Sequence, residues 1–166
     1  MRLVDERATA AAAARLGAAL AVGDLVILSG PLGAGKTAFV RHLARALGVP
    51  AELPVTSPTF ALVQDYPEAA PPLVHADLYR LLPETGPADA EALQELGLLE
   101  ARQHAALLVE WGEPFEQALG GATLHLAIAF PPRDAACGED ARELHAGGAG
   151  ERGALLTATV AGLART

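Results

Sequence analysis

One stretch has the residue types and the spacing of a phosphate-binding loop. Gly30, Gly35, Lys36 and Thr37 occupy the fixed positions of the pattern G-x-x-x-x-G-K-[ST]. Glycines allow successive main-chain N–H groups to turn inward and bind an anion, so Gly33 and Gly35 are predicted to take conformations closed to other residues. Lys36 should reach the β- and γ-phosphates of a nucleotide, and the Thr37 hydroxyl should bind Mg²⁺.

Two further apolar runs end in an acid that could complete this chemistry. Asp77 follows the run 73–76, and Glu110 follows the run 105–109. Ligands of open α/β sheets bind beyond the carboxyl ends of the strands. Phosphoryl transfer also needs Mg²⁺ and a group that orients the attacking oxygen. Asp77 and Glu110 are therefore candidate catalytic residues together with Lys36, although either acid could simply begin a surface loop.

The hydroxyl-rich segment 56–59 is unusual in this chain, which contains only two serines. Such a segment suits a loop that senses phosphate or metal, and it equally suits a polar turn set by proline. His75, two residues before Asp77, is the one histidine that could lie near the site, and a packed or surface position is the favoured alternative. Trp111, beside Glu110, either packs in the core or lines the site.

The elements that must position these residues follow from hydrophobic periodicity. The run 25–28 predicts a buried strand before the loop, and Phe39, Leu43 and Leu47 lie on one face of a predicted helix after it. Other predicted elements are helices over 5–21, 91–103 with a break at Gly97, 114–119 and a last one through Leu163, strands over 60–66, 123–130 and 142–146, and loops over 83–90 and 131–140. This alternation predicts a three-layer α/β fold of the P-loop NTPase type, whose mainly parallel sheet has antiparallel strands toward the C-terminus.

Composition excludes several classes of protein. A length of 166 residues and an apolar fraction of 51% predict a single domain over residues 1–166. The net charge of −8 argues against autonomous binding of nucleic acid or of an anionic membrane. Acidic residues stand where a secretory signal would be basic, and the longest uncharged stretch, 117–132, is broken by glycine and proline pairs. We therefore expect a cytoplasmic protein with no membrane association.

Rival nucleotide-binding classes lack their own signatures. The chain has no asparagine and no second lysine, so the guanine-reading motif N-K-x-D is absent, and no D-x-x-G occurs. A small-molecule kinase normally brings a lid with several arginines, whereas the arginines after Glu110 are few and widely spread. A small-molecule kinase stays an alternative, although nothing in the sequence indicates a site for the phosphate acceptor.

Five short motifs together resemble the TsaE (YjeE) family. They are L-G-A-G-K-T at 32–37, S-P-T-F at 57–60, H-A-D-L-Y-R at 75–80, E-L-G at 95–97 and V-E-W at 109–111. The resemblance covers about residues 5–112. It implies a P-loop ATPase that hydrolyses ATP weakly alone and acts with two partners of the sugar-kinase fold, TsaD and TsaB. That assembly adds a threonylcarbamoyl group to the adenosine 3′ of the anticodon in tRNA.

The same resemblance implies how an acidic chain could serve tRNA modification. ATP hydrolysis would reset the complex between turnovers, and the tRNA would be contacted mainly by the partners. An ATP-dependent scaffold that needs no turnover is a second alternative beside the small-molecule kinase. Pro31 stands where the family commonly has an acid, so any contact from that acid is missing.

Site residues are implied by the resemblance position by position. Thr37 and Glu110 match Mg²⁺ ligands, and Asp77 matches an acid that could position water. Glu6 and Thr9 match a segment that flanks the nucleotide base. The full set expected to bind ATP is Glu6, Thr9, Gly33, Ala34, Gly35, Lys36, Thr37, Ala38, Ser57 and Thr59.

Overall fold

The computed structural model describes residues 1–83, 90–132, 138 and 140–163. The strands in these ranges are β1 (Arg2–Leu3), β2 (Leu25–Ser29), β3 (Val63–Tyr66), β4 (Leu73–Asp77), β5 (Ala106–Glu110), β6 (Leu124–Ala129) and β7 (Arg142–Gly147). The helices are α1 (Glu6–Ala19), α2 (Lys36–Ala46), α3 (Ala90–Glu95), α4 (Leu98–Ala101) and α5 (Gly150–Ala161). Short 3₁₀ turns span Tyr79–Leu81 and Glu113–Phe115.

The described strands form one sheet in the order β1-β7-β6-β2-β5-β4-β3. Strands β6, β2, β5 and β4 are parallel to their neighbours within this central group. Antiparallel pairing occurs between β1 and β7, between β7 and β6, and between β3 and β4. The mainly parallel α/β fold is thus confirmed, with antiparallel strands at both edges rather than only toward the C-terminus. The connection between β3 and β4 is too short for a parallel crossover, which explains the additional hairpin.

Alternation along β2 shows why helices cover both faces of the sheet. Val26 and Leu28 are buried in one cluster with α1, α2 and α5, while Leu25 and Ile27 are buried in another with α3, α4 and the Glu113–Phe115 turn. A strand with both faces covered is apolar at every position, as the run 25–28 is. The β-sheet is therefore the middle of three layers.

Helix boundaries follow capping chemistry. Asp5 caps α1, since its Oδ1 accepts a hydrogen bond from the Ala8 N–H at 2.8 Å. Gly97, with φ 63°, separates α3 from α4 as predicted. Gly162 adopts φ 73° and ends α5. The prediction that the last helix runs through Leu163 is therefore wrong, and this side chain is 76% exposed.

Four other predicted segments differ from the structure or lie largely outside it. The strand predicted over 60–66 begins only at Val63, after a turn, and the helix predicted over 114–119 is the short Glu113–Phe115 turn. The predicted loops 83–90 and 131–140 lie largely outside the described residues. Among the described helices, each is too short or too polar to cross a lipid bilayer.

Candidate functional site

The loop between β2 and α2 has the backbone conformations that its glycines predict. Gly33 and Gly35 have φ angles of 79° and 103°, and Gly35 is the N-cap of α2. Gly30 adopts φ 134°, and a Cβ built there would lie 2.1 Å from the Ile128 carbonyl oxygen. All three positions favour glycine because their backbone has a positive φ, and Gly30 needs it also because it packs closely against β6. The loop thus delivers the positive end of the α2 dipole to an open space beyond the sheet.

Lys36 is held across the mouth of this loop. Its Nζ donates hydrogen bonds to the Gly30 carbonyl at 2.8 Å and the Pro31 carbonyl at 3.2 Å, and it lies 4.0 Å from the centroid of the Trp111 ring. The residue is buried, with 5% of its surface exposed. Burial lowers the pKa of the Lys36 ammonium from its usual 10.5, and the charge of Glu110 partly opposes that shift. The ammonium is therefore poised close to anions and poorly hydrated.

Glu110 joins the sheet to the loop through one oxygen. The Thr37 hydroxyl donates to Glu110 Oε1 at 2.8 Å, and His75 Nε2 lies 3.0 Å from the same oxygen. Glu110 is 3% exposed and His75 is fully buried. A buried carboxylate is costly unless donors surround it, and here two side chains supply them.

Asp77 anchors the hydroxyl-rich segment. Its Oδ2 accepts hydrogen bonds from the Ser57 hydroxyl and from Thr59 Oγ1, the latter at 2.9 Å, and its Oδ1 accepts from the Tyr79 N–H at 3.0 Å. Ser57 and Thr59 also bond each other at 2.6 Å. The segment 57–59 is therefore tied to the end of β4 and faces the loop.

Strand register explains why the two acids meet. Asp77 and Glu110 are paired residues of the parallel strands β4 and β5. Leu73 and Leu108, on the same face of these strands, are buried against the layer that contains α2. Side chains alternate along a strand, so Asp77, His75 and Glu110 all point toward α2. The sheet thereby brings both acids to the N-terminus of that helix.

Two cavities flank the loop. The inner cavity, of about 420 Å³, is lined by Leu32, Gly33, Gly35, Lys36, Thr37, Ala38, Ser57, Thr59, Asp77, Tyr79, Glu110 and Trp111. The outer cavity, of about 220 Å³, is lined by Leu3, Glu6, Thr9, Ala34, Gly35, Ala38, Ile128, Asp140 and Arg142. Each of the ten residues expected to bind ATP from the sequence lines one or both of these cavities.

The polar side chains of the outer cavity include Glu6 and Thr9 of α1 and Arg142 of β7. Thr9 Oγ1 bonds the Asp5 carbonyl at 3.3 Å. Arg142 Nε donates to the Ala34 carbonyl at 3.2 Å, and its guanidinium lies 4.8 Å from the centroid of the Phe130 ring. These contacts connect β7 to the back of the loop.

A comparison with known protein families identifies the family of this chain. The family described as "Threonylcarbamoyl adenosine biosynthesis protein TsaE" matches residues 3–136. The chain belongs to the TsaE family. A TsaE protein of Streptomyces coelicolor is 41% identical over 148 residues, covering 88% of this chain and 94% of that protein. A TsaE protein of Bacillus subtilis is 33% identical over 93% of this chain and 89% of its own length.

A solved structure shares this TsaE-family fold. The crystal structure of YdiB from Bacillus subtilis superposes with a TM-score of 0.70 at 30% identity, covering 97% of this chain and 92% of that one. The likeness supports the P-loop NTPase architecture over nearly the whole chain. The relatives from Streptomyces coelicolor and Bacillus subtilis are both named tRNA threonylcarbamoyladenosine biosynthesis protein TsaE.

The structure of this TsaE-family chain also reveals site residues that the sequence analysis did not assign. His75 is a packed histidine, as favoured from the sequence, and it also contacts Glu110, which brings it into the site. The sequence carried part of the signal, since residues two apart on a strand share a face and His75 precedes Asp77 by two. The contact with Glu110 follows only from the register between β4 and β5. Trp111 lines the inner cavity, where its ring lies 5.2 Å from that of Tyr79. The left-handed backbone of Trp111, φ 61°, had no signature in the sequence.

Proposed function

We propose that the chain binds ATP and hydrolyses it slowly as a subunit of the assembly that adds threonylcarbamoyl to the adenosine 3′ of the tRNA anticodon. The observation that carries the proposal is the contact between the Thr37 hydroxyl and Glu110, 2.8 Å across the mouth of the loop. It joins the first turn of a phosphate-binding helix to an acid at the end of a neighbouring strand. That is the arrangement that nucleotide hydrolysis on a P-loop requires.

The two cavities suggest how ATP would lie. The triphosphate would occupy the inner cavity, where backbone N–H groups, the helix dipole and Lys36 favour negative charge. The nucleoside would occupy the outer cavity beside Glu6 and Thr9. The loop lies between the two, so one ligand could extend from the first cavity into the second.

The residues present fit Mg²⁺. This ion prefers oxygen ligands and keeps waters and substrate phosphates in its shell, so it needs only one or two protein groups. Thr37 and Glu110 supply hard oxygen atoms at one point of the inner cavity. Within the described ranges, His, Cys, Asp and Glu side chains form no cluster of three or more able to hold a metal alone. When bound, Mg²⁺ would neutralise charge on the phosphates.

Asp77 is proposed to position the attacking water together with Ser57 and Thr59. Its two oxygens already accept three hydrogen bonds, so it is oriented before any nucleotide binds. A preoriented acid beside a hydroxyl-bearing loop suits a group that orders water near the terminal phosphate. The segment 56–59 would respond to that phosphate.

Partners are proposed to contribute the tRNA contacts. The net charge of −8 disfavours direct binding of a polyanion, so tRNA would be held mainly by TsaD-like and TsaB-like subunits in the cytoplasm. Hydrolysis of ATP by this chain would reset that complex between turnovers. Turnover by the isolated chain should therefore be slow, and the partners should accelerate it.

The experiment is a multiple-turnover tRNA modification assay with the two partner proteins and the Glu110→Gln variant. We expect ATP binding to persist, while ATP hydrolysis and repeated tRNA modification fall by about 100-fold. Glu116→Gln is the matched control, because Glu116 contacts His125 away from both cavities. Repeated modification without hydrolysis would indicate the scaffold function instead. Phosphorylation of an added metabolite would indicate a kinase.

A further inference from the structure

We propose that His75 is a positioning residue that orients Glu110 for its work at the metal. The inference rests on the proposed function, because Glu110 is proposed there as a Mg²⁺ ligand. It concerns a residue to which neither the motif chemistry nor the family resemblance assigns a role. Three observations carry it: the contact itself, the hydrogen-bonding pattern of Glu110, and the unpartnered second nitrogen of the ring.

The contact lies entirely inside the protein. His75 Nε2 is 3.0 Å from Glu110 Oε1, and the side chains are 0% and 3% exposed. His75 is paired in register with Leu108, two residues before Glu110 on the same face of β5. The ring must therefore reach forward along the sheet to meet the carboxylate. The His75 ring is fully buried, so Glu110 is its partner inside the protein rather than at the surface.

Hydrogen bonding at Glu110 is one-sided. A carboxylate only accepts, so His75 Nε2 donates to Oε1, and the Thr37 hydroxyl donates to the same oxygen. Among the residues that the structure describes, Oε2 receives no hydrogen bond. Two donors on one oxygen fix the rotation of the carboxylate. The second oxygen is left free toward the inner cavity, where the metal is proposed to bind.

The ring nitrogen on the other side identifies one tautomer. His75 Nδ1 is buried and has no hydrogen-bond partner in the described part of the chain. A hydrogen on Nδ1 would be a buried donor without an acceptor, and Nε2 would then present a lone pair to a carboxylate. The tautomer with its hydrogen on Nε2 avoids both costs. His75 therefore acts as a fixed donor and not as a carrier of protons.

The test compares His75→Leu with His75→Gln, whose amide nitrogen can occupy about the position of Nε2. The probe is ADP, titrated by calorimetry in EDTA and over a series of Mg²⁺ concentrations. We expect His75→Leu to raise the Mg²⁺ concentration for half-maximal effect by about tenfold or more, with ADP affinity in EDTA unchanged. His75→Gln should stay within about threefold of the parent chain, because it retains the donor. His125→Leu is the matched control, since His125 makes a similar pair with Glu116 at 3.2 Å outside the site.

A structural role would give a different pattern. Equal loss of ADP affinity with and without Mg²⁺, or an unchanged Mg²⁺ requirement in His75→Leu, would overturn the inference. Nitrogen-15 NMR of the histidine rings tests it without any substitution and without metal. A hydrogen on Nε2 of His75 supports it, and a hydrogen on Nδ1 overturns it. If Mg²⁺ has no effect on ADP binding by the parent chain, Glu110 is not a metal ligand, and the positioning role of His75 is overturned with it. The NMR result would still show whether His75 donates a hydrogen bond to Glu110.

Discussion

The two cavities beside the loop are built in opposite ways. Four of the five buried polar or charged side chains in the described part of the chain gather at the inner cavity or directly behind it: Lys36, His75, Asp77 and Glu110. At the outer cavity the Glu6 side chain is 72% exposed. Buried polar groups cost free energy unless each finds a partner. The inner cavity therefore contains side chains that folding stability alone would not favour, which indicates that function requires them there.

The two cavities differ in how firmly their side chains are oriented before a ligand binds. Inner-cavity groups are held by mutual hydrogen bonds, Glu110 to Thr37 and His75, and Asp77 to Ser57 and Thr59. Phosphates and a metal ion require fixed geometry, and their charge makes an error in geometry expensive. A purine and ribose can be held by shape and by weaker contacts. We infer that most of the binding free energy and specificity comes from the phosphate end.

The strongest test of this asymmetry is Lys36→Ala. The phosphates would lose the only lysine of the chain, and ATP affinity should fall by at least about 100-fold, roughly 2.7 kcal/mol. Calorimetric titration measures it. Arg41→Ala removes an exposed cation of the same helix and should change affinity by less than about twofold. If both variants lowered ATP affinity equally, the phosphates would be held by the general positive charge of the helix and not by the position of Lys36.

Asp77→Asn tests whether the inner network works as a unit. An amide cannot accept on both ends, so the segment 57–59 should lose an anchor and ATP turnover with the partners should fall by about 100-fold. Hydrogen exchange over 56–62 should become faster in the variant. Asp65→Asn, on the exposed side of β3, is the control and should change neither quantity. Normal turnover in Asp77→Asn would mean that the carboxylate only supports structure.

The pH dependence of ATP affinity should follow the Lys36 ammonium. Burial lowers the pKa of Lys36 in the free protein below 10.5, and bound phosphate would raise it again. The affinity for ATP is then greatest at pH values below the Lys36 pKa of the free protein. It falls as the pH rises through that pKa, by up to about tenfold per pH unit. The decline should begin below 10.5 and be absent in Lys36→Met. An affinity that stays constant up to pH 10.5 would show that burial does not lower this pKa.

Changes at the outer cavity should have the smallest effects. Glu6→Ala and Thr9→Ala remove groups that are exposed or held by one long hydrogen bond, so ATP affinity should change by less than about threefold. Replacing ATP by GTP should cost a similarly small factor. A loss as large as that of Lys36→Ala would show that the nucleoside end dominates recognition.

Local features of the site could be predicted from the sequence. The spacing of Gly30, Gly35 and Lys36 defines the loop, and apolar runs before Asp77 and Glu110 place these acids at strand ends. Both inferences need only near neighbours in the chain. The mainly parallel sheet follows in the same way from the alternation of strands and helices.

Contacts between distant segments could not be predicted in this way. β1 is two residues long, and it exists because β7 offers a partner more than a hundred positions away. Arg142 reaches the back of the loop from β7 for the same reason. The contact between His75 and Glu110 could not be predicted without the register between β4 and β5, because only that register shows which carboxylate the ring can reach.

The central claim is that the inner cavity holds the phosphates of ATP with Mg²⁺. A crystal structure of the chain with Mg²⁺ and a non-hydrolysable ATP analogue tests it most directly. We predict the triphosphate within the loop 30–37, the Lys36 ammonium on its outer phosphates, and Mg²⁺ beside Thr37 and Glu110. A nucleotide bound elsewhere, or a metal remote from both Thr37 and Glu110, would contradict the account.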